Sequence, residues 1–151
     1  MDVLYMKEAL EEAKKAYSTY EVPVGAVIVY HGEIIGRGYN QKESLDDALA
    51  HAELIAINQA SKKLGRWRLS DCTMYVTLEP CAMCAGALIN SRIDRLVIGT
   101  RDNRMGCAGT VVDITNHDKF NHKIEVEFGV LEEDCSKILS RFFKELRTKK
   151  K

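Results

Sequence analysis

The sequence predicts an α/β protein in which helices are layered on a sheet of five strands. Strand-like apolar runs alternate with helical patterns from residue 50 onward, and no repeat or Pro/Gly/Ser-rich linker interrupts the chain. The short spacer His31-Gly32 between the first two strand-like runs predicts an antiparallel hairpin at the start of the sheet. With 151 residues and 46% apolar composition, the chain is expected to form one domain over residues 1–151.

The individual elements follow from apolar spacing and from the residues that begin and end helices. Mostly apolar, often β-branched runs predict strands over residues 22–30, 33–39, 72–79, 95–100 and 123–128. Apolar residues at helical spacing predict helices over residues 2–19, about 50–63, 81–90 and from 132 onward. Gly65 fits the position just past the second helix, and Pro80 is predicted to open the third helix in its first turn.

The charge of the chain is balanced overall but unevenly distributed. Residues 137–151 hold seven basic residues and one acidic residue, a net charge of +6, so the other 136 residues sum to −6. A basic C-terminal segment suggests a polyanionic partner, because clustered Lys and Arg release phosphate counterions on binding. A solvated tail, or a helix end that complements its own dipole, explains the same charges. Charge alone leaves these interpretations open.

Cysteine usage and the N-terminus indicate the cellular setting. The sequence has no signal-peptide pattern and no apolar run near the roughly eighteen residues of a membrane span, so a cytoplasmic protein without membrane contact is expected. A disulfide framework is not expected there, and informative cysteines should be ligands or nucleophiles. Cys72, Cys107 and Cys135 stand alone and are interpreted as packing residues.

Two short segments carry the residues suited to catalysis, His51-Ala52-Glu53 and Pro80-Cys81-x-x-Cys84. One imidazole and two thiolates suit zinc and leave a fourth tetrahedral position for water, as in catalytic rather than structural sites. His51 and Glu53 would point to nearly opposite sides within a helix, so both can face one metal only at a helix start, near the predicted start at Ala50. Beside such a water, Glu53 would act as a general acid–base group.

Other interpretations of the same motifs explain less. A thioredoxin-like redox pair would account for Cys-x-x-Cys but not for His-x-Glu. A zinc finger needs a fourth protein ligand, for which His117 and His122 are the only loose candidates. The two motifs together, each at the start of a predicted helix, favour a catalytic zinc site.

His-x-Glu followed by Pro-Cys-x-x-Cys is the signature of the zinc nucleobase deaminases. The chain resembles the bacterial tRNA-specific adenosine deaminases over residues 21–26, 50–53, 67–69, 75–86 and 121–122. The resemblance implies a cytidine-deaminase-like fold, a three-layer α/β/α sandwich with a central mixed five-stranded sheet. It also implies a homodimer that binds a tRNA anticodon stem-loop and converts the wobble adenosine to inosine by hydrolytic deamination.

The resemblance also assigns roles to single residues. His51, Cys81 and Cys84 would bind one Zn²⁺ per chain, and Glu53 would transfer protons. Asn40 matches a base-contacting position, and Asp102 matches a position that contacts the RNA backbone sugar. The pocket would further include Val24, Ala52 and Leu78. From their charge, Arg101, Arg104 and Lys123 are candidate phosphate contacts.

The sequence departs from the family pattern at two places. Ala48-Leu49 stands where the family usually has Pro-Thr, close to the pocket entrance. Lys123 stands where Arg usually follows Asn-His, which keeps the charge but not the bidentate geometry.

Two further functions share these motifs. A metabolic enzyme acting on guanine, cytosine or cytidine would use the same zinc site, and only its pocket and surface would differ. The basic C-terminal helix, Lys123 and the loop with Arg101 and Arg104 favour a polyanionic substrate. A non-catalytic RNA-binding protein with a structural zinc would have no need of Glu53.

Overall fold

The structure, a computed structural model, describes residues 1–149 of the chain. The elements in chain order are α1 (Asp2–Ser18), β1 (Gly25–Tyr30), β2 (Glu33–Tyr39), α2 (Ala52–Leu64), β3 (Cys72–Leu78), α3 (Ala82–Asn90), β4 (Arg95–Thr100), β5 (Glu125–Phe128) and α4 (Glu132–Lys149). The strands form one sheet in the order β2-β1-β3-β4-β5. β1 is antiparallel to both of its neighbours, and β3, β4 and β5 are parallel, so the predicted mixed five-stranded sheet is confirmed.

Helices cover both faces of the sheet. In β1, Ala26 and Ile28 face a core shared with α2 and α3, whereas Val27 and Val29 face a second core shared with α1 and α4. This alternation follows from the two-residue period of a strand, which sends successive side chains to opposite faces. The predicted three-layer α/β/α sandwich is confirmed.

The turn and helix-end signals behave as predicted, and several element boundaries shift by one to three residues, including the start of α2 at Ala52 and the end of β3 at Leu78. His31 and Gly32 both have positive φ, 47° and 78°, which is the conformation of a two-residue hairpin turn. β1 and β5 begin later than predicted, at Gly25 and Glu125. α3 begins at Ala82 with Cys81 as its N-cap, so Pro80 lies before the helix rather than in its first turn. The extended backbone of Cys81, with ψ of 179°, excludes it from the helix.

Glycines in β2 allow α2 to lie directly on the sheet. A Cβ atom at Gly38 would collide with the carbonyl oxygen of Ala52, and one at Gly36 would collide with that of Ala56. The first turn of α2 therefore rests on the end of β2. This close approach fixes the position from which His51 and Glu53 project.

The three isolated cysteines are buried, in agreement with a packing role. Burial raises the pKa of Cys72 to about 11 and that of Cys135 to about 12, so both remain neutral thiols near neutral pH. Among residues 1–149, no helix is long and apolar enough to cross a membrane.

Candidate active site

The starts of two helices meet beside the end of β3. His51 is the N-cap of α2 and Cys81 is the N-cap of α3. Both residues line a cavity of about 400 Å³, together with Glu53 from the first turn of α2 and Leu78 from the end of β3. The loops after β2 and β4 close its sides. Two helix N-termini thus direct the positive ends of their dipoles toward one cavity.

His51, Cys81 and Cys84 form a group that can hold one metal ion. The Nδ1 atom of His51 lies 3.7 Å from Sγ of Cys81 and 3.5 Å from Sγ of Cys84, and the three ligand atoms all lie within 4.8 Å of one another. Bonds of about 2.0–2.3 Å to a tetrahedral ion would separate such ligand atoms by roughly 3.5–3.8 Å. The observed spacing therefore fits a single tetrahedral ion.

The electrostatics of this group favour a thiolate at Cys81. A hydrogen bond from the Cys84 thiol, together with the His51 imidazole, lowers the pKa of Cys81 to about 4 although burial acts in the opposite direction. The same contact with Cys81 raises the pKa of His51. The pKa of Cys84 is raised by its hydrogen bond to Cys81 and by burial. These shifts favour a thiolate at Cys81 and a neutral thiol at Cys84.

Glu53 is the acidic group of the cavity that lies in the first turn of α2 beside His51. Its side chain is 4% exposed. Burial raises the pKa of Glu53 to about 7, because removal from water disfavours the charged form. A carboxyl group with this pKa can accept and donate a proton near neutral pH, which is the property of a general acid–base catalyst.

The residues assigned to the substrate by resemblance all line this cavity: Val24, Asn40, Ala52, Leu78 and Asp102. The Asn40 amide donates to the carbonyl of Val22 at 3.2 Å and accepts from the N–H of Lys42 at 3.1 Å, so its orientation is fixed. The Asp102 carboxylate accepts the N–H groups of Arg104 and Met105 at 3.0 and 3.1 Å. Both polar side chains are thus held by local backbone contacts at the cavity wall.

The candidate phosphate contacts lie outside the cavity. Arg101 and Arg104 are exposed on the loop that carries Asp102, and the guanidinium of Arg101 lies 3.9 Å above the ring of Phe128. Lys123 precedes β5 at the opposite end of the parallel strands and lies 3.4 Å from Asp118. Within the chain, Lys123 is therefore not brought to the site. Of the basic C-terminal residues, Lys150 and Lys151 lie outside the described residues.

Two buried carboxylates near the site had no assigned role in the sequence. Glu21 is 1% exposed and accepts the N–H groups of Glu43 and Ser44 at 3.0 and 2.6 Å, which holds the loop after β2. Burial raises its pKa, but hydrogen bonds from Ser44 and Glu43 outweigh this and lower it. Glu79 is 2% exposed and contacts the loop after β4. The sequence signal that could have identified them is a glutamate at the edge of a predicted buried strand: Glu21 precedes the first strand and Glu79 ends the third. A carboxylate buried there must find hydrogen-bond donors.

Four residues missed in the sequence line the cavity beside the predicted ones: Val22, Lys42, Glu79 and Met105. Lys42 and Met105 come from the loops after β2 and β4. These loops carry no regular apolar pattern in the sequence.

Comparisons with known proteins agree with this geometry. Residues 2–147 match the family model of the MafB19-like deaminases. The tRNA-specific adenosine deaminase of Bacillus subtilis is 54% identical over 99% of this chain and 93% of its own length. The tRNA-specific adenosine deaminase of Streptococcus pyogenes serotype M18 is 44% identical over 97% of this chain and 92% of its own length.

A solved structure of a protein with related sequence shares the fold. It comes from a study of A-to-I editing by tRNA:A34 deaminases at the wobble position of transfer RNA, and it is 40% identical to this chain. The TM-score is 0.86, and the alignment covers 89% of this chain and 98% of that chain, which confirms the cytidine-deaminase-like fold. Matches of this length and identity show that the chain belongs to the MafB19-like deaminase family, together with the tRNA-specific adenosine deaminases.

Proposed function

We propose that this protein is a hydrolytic adenosine deaminase that converts the wobble adenosine of a tRNA anticodon stem-loop to inosine. The observation that carries the proposal is the 54% identity to the Bacillus subtilis tRNA-specific adenosine deaminase over 99% of this chain. A cavity that joins a His/Cys/Cys group to a buried carboxylate supplies the required chemical groups. The proposal places the enzyme in the cytoplasm, where bacterial tRNA is processed.

His51, Cys81 and Cys84 would hold one Zn²⁺ ion. Two sulfur donors and one imidazole nitrogen are the ligands that zinc prefers, and magnesium or calcium would require oxygen donors instead. Three protein ligands leave one coordination position open, as in catalytic zinc sites. Bound there, zinc supplies Lewis-acid activation of a water molecule.

Glu53 carries the proton transfers. Its carboxylate accepts a proton from the attacking water and delivers it to N1 of the adenine ring as the C6–O bond forms. Glu53 then moves the proton of the new C6 hydroxyl to the exocyclic amine, so that the C6=O bond forms as the C6–N bond breaks and adenosine and water yield inosine and ammonia. Burial keeps Glu53 away from bulk water that would compete for these protons.

The cavity has room for one flipped-out nucleotide. Its volume of about 400 Å³ lies at the lower end of the range for small-molecule sites. Val24, Ala52 and Leu78 supply apolar walls for the base, and Asn40 supplies an amide for a polar edge. Asp102 lies on the opposite loop, where we assign it to the sugar. A base must leave its stack to enter, which an unpaired anticodon loop allows at low cost.

An anticodon stem-loop with adenosine at the wobble position should be deaminated far more efficiently than free adenosine, guanine or cytidine. Contacts to flanking nucleotides position the reacting carbon, so a free nucleoside should lose kcat as well as affinity. Mass spectrometry of the RNA, scored for inosine, gives kcat/KM for the stem-loop, and ammonia release gives it for the small substrates. Faster turnover of guanine or cytidine would establish a metabolic deaminase instead.

Arg101 and Arg104 should contribute to the salt dependence of stem-loop binding. Each phosphate contact with a single strand adds about 0.7 to the slope of log K against log salt concentration, so replacing both residues with Ala should lower the slope by roughly 1.4. Deletion of residues 149–151 should lower it as well. Lys63→Ala is a matched control, because Lys63 pairs with Glu33 at the far end of α2. An unchanged slope in the double variant would remove Arg101 and Arg104 from the RNA-binding surface.

We also infer a homodimer formed through α2 and α3. Partly exposed apolar side chains lie on these helices at Leu54, Met83 and Ala87, and Phe120 is exposed beside α3. Sedimentation should give twice the chain mass of 17.0 kDa. Ala87→Glu should shift the protein to monomer, whereas Ser18→Glu at the exposed end of α1 should not. A wild-type monomer would contradict the dimer.

A further inference from the structure

Glu79 is a buried carboxylate with no role in the proton transfers. It follows β3 directly, is 2% exposed, and its side chain lies under the loop of residues 101–110 that follows β4. Oε1 accepts the N–H of Asp102 at 3.1 Å and the hydroxyl of Thr110. Oε2 accepts the N–H groups of Ala108 and Thr110 at 3.0 and 3.1 Å. One side chain thereby binds both ends of the loop.

The middle of the loop also lies close to this carboxylate. A Cβ atom at Gly106 would lie 2.5 Å from Oε1 of Glu79 and 2.5 Å from the carbonyl oxygen of Asp102, so only glycine fits at this position. The N–H of Gly106 donates to the same Asp102 carbonyl at 3.0 Å, and the N–H of Cys107 donates to the carbonyl of Pro80 at 2.9 Å. The loop therefore contacts the Glu79 carboxylate at its start, at Gly106, and at its end.

The anchored loop forms one wall of the substrate cavity. Asp102 and Met105 line that cavity, opposite Asn40 and Lys42. The Asp102 carboxylate accepts the N–H groups of Arg104 and Met105, so the position of Asp102 sets the positions of the next three residues. A displacement of the Asp102 backbone would therefore move the Asp102 carboxylate and the Met105 side chain together.

We propose that Glu79 is the positioning residue of the substrate-binding loop: its carboxylate fixes the backbone of Asp102 and thereby aligns the nucleotide with Glu53. The inference rests on the proposed function and deepens it, because it names what holds the sugar-side wall of the site. Displacements of about 1 Å in a positioning group can cost on the order of 100-fold in rate.

The hydrogen-bond pattern predicts what an amide would do at this position. In Glu79→Gln, an NH₂ group at the Oε2 position would face two N–H donors, those of Ala108 and Thr110. At the Oε1 position it would face the single N–H of Asp102 and could donate to the Thr110 hydroxyl oxygen. The amide should therefore adopt the second orientation. The variant should keep the 108–110 end of the loop and release the Asp102 end.

The test measures the zinc-loaded enzyme in two ways. Amide hydrogen exchange without substrate should show faster exchange at Asp102 in Glu79→Gln, with Ala108 and Thr110 still protected. Deamination of the stem-loop should fall by about 10- to 100-fold in kcat/KM, with zinc content unchanged. Glu12→Gln is the matched control, because Glu12 is also 2% exposed but belongs to α1 and pairs with Lys15 and Arg37.

A double-mutant cycle separates positioning from general stability. If Glu79 acts through Asp102, then Glu79→Gln should change kcat/KM by less than about twofold in an Asp102→Ala background, because residues that act as a unit are not additive. Three results would each overturn the proposal. They are losses of kcat/KM that multiply in the double variant, a loss of kcat/KM in Glu12→Gln equal to that in Glu79→Gln, and amide exchange at Asp102 that is unchanged in Glu79→Gln. Absence of inosine formation by the wild-type enzyme would contradict the proposed function, and the exchange at Asp102 would still decide the anchoring.

Discussion

Replacement of Glu53 with Gln should lower kcat for stem-loop deamination by about 10²- to 10⁴-fold, the usual contribution of a general acid–base group. The amide keeps the shape of the side chain but cannot accept a proton from water or deliver one to the adenine ring. Glu53 lines the cavity and is not among the three side chains that form the metal-binding group. Zinc content and stem-loop affinity should therefore remain near their wild-type values.

The measurement combines single-turnover deamination, metal analysis and RNA binding on the same preparation. Glu12→Gln serves again as the control, since it removes a buried carboxylate from α1 on the face of the sheet opposite α2. Near-normal turnover in Glu53→Gln would exclude Glu53 from proton transfer. A loss of zinc in parallel with activity would instead assign Glu53 a structural role in the metal-binding group.

The chemistry of the site could be predicted from the sequence because its signals are local. His51 and Glu53 lie two residues apart, and Cys81 and Cys84 lie three apart. Once a helix start is recognised, this spacing alone predicts that the two side chains of each pair face the same site. Turn residues such as Gly32 and helix ends such as Gly65 are equally local. The element types follow from these signals. The starts of β1 and β5 do not, because the strand-like pattern extends beyond the hydrogen-bonded ladder. The start of α3 does not either, because the extended backbone of Cys81 leaves it outside the helix.

The anchoring of the loops could not be predicted, because it depends on contacts between distant segments. Glu21 accepts hydrogen bonds from Glu43 and Ser44, which lie 22 and 23 positions later in the chain. Glu79 accepts hydrogen bonds from the loop between Asp102 and Thr110, which lie 23 and 31 positions later. A carboxylate in a sequence does not show which N–H groups will satisfy it. The same reason applies to Lys123, whose placement at the opposite end of the parallel strands follows from the pairing of β4 with β5.

Loss of the Cys84 sulfur ligand should strongly weaken metal binding and, with it, deamination. Cys84→Ala leaves His51 and Cys81 as the only protein ligands of the group, which is one fewer than catalytic zinc sites have. Even residues that only support a ligand cost about 10- to 100-fold in metal affinity when they are replaced, so removal of a ligand should cost at least about 100-fold. Competition with a chromogenic chelator measures the affinity, and activity should fall with zinc content.

Cys72→Ala is the matched control for this experiment. Cys72 is also a free, fully buried cysteine, but it begins β3, at the other end of the strand from the site, and burial keeps it a neutral thiol. This variant should lose some stability to the cavity it creates yet retain one zinc per chain. Undiminished zinc in Cys84→Ala would contradict the ligand assignment. Equal loss in both variants would show that zinc binding depends on the general stability of the fold, whereas loss in Cys84→Ala alone ties zinc binding to the sulfur atom of Cys84.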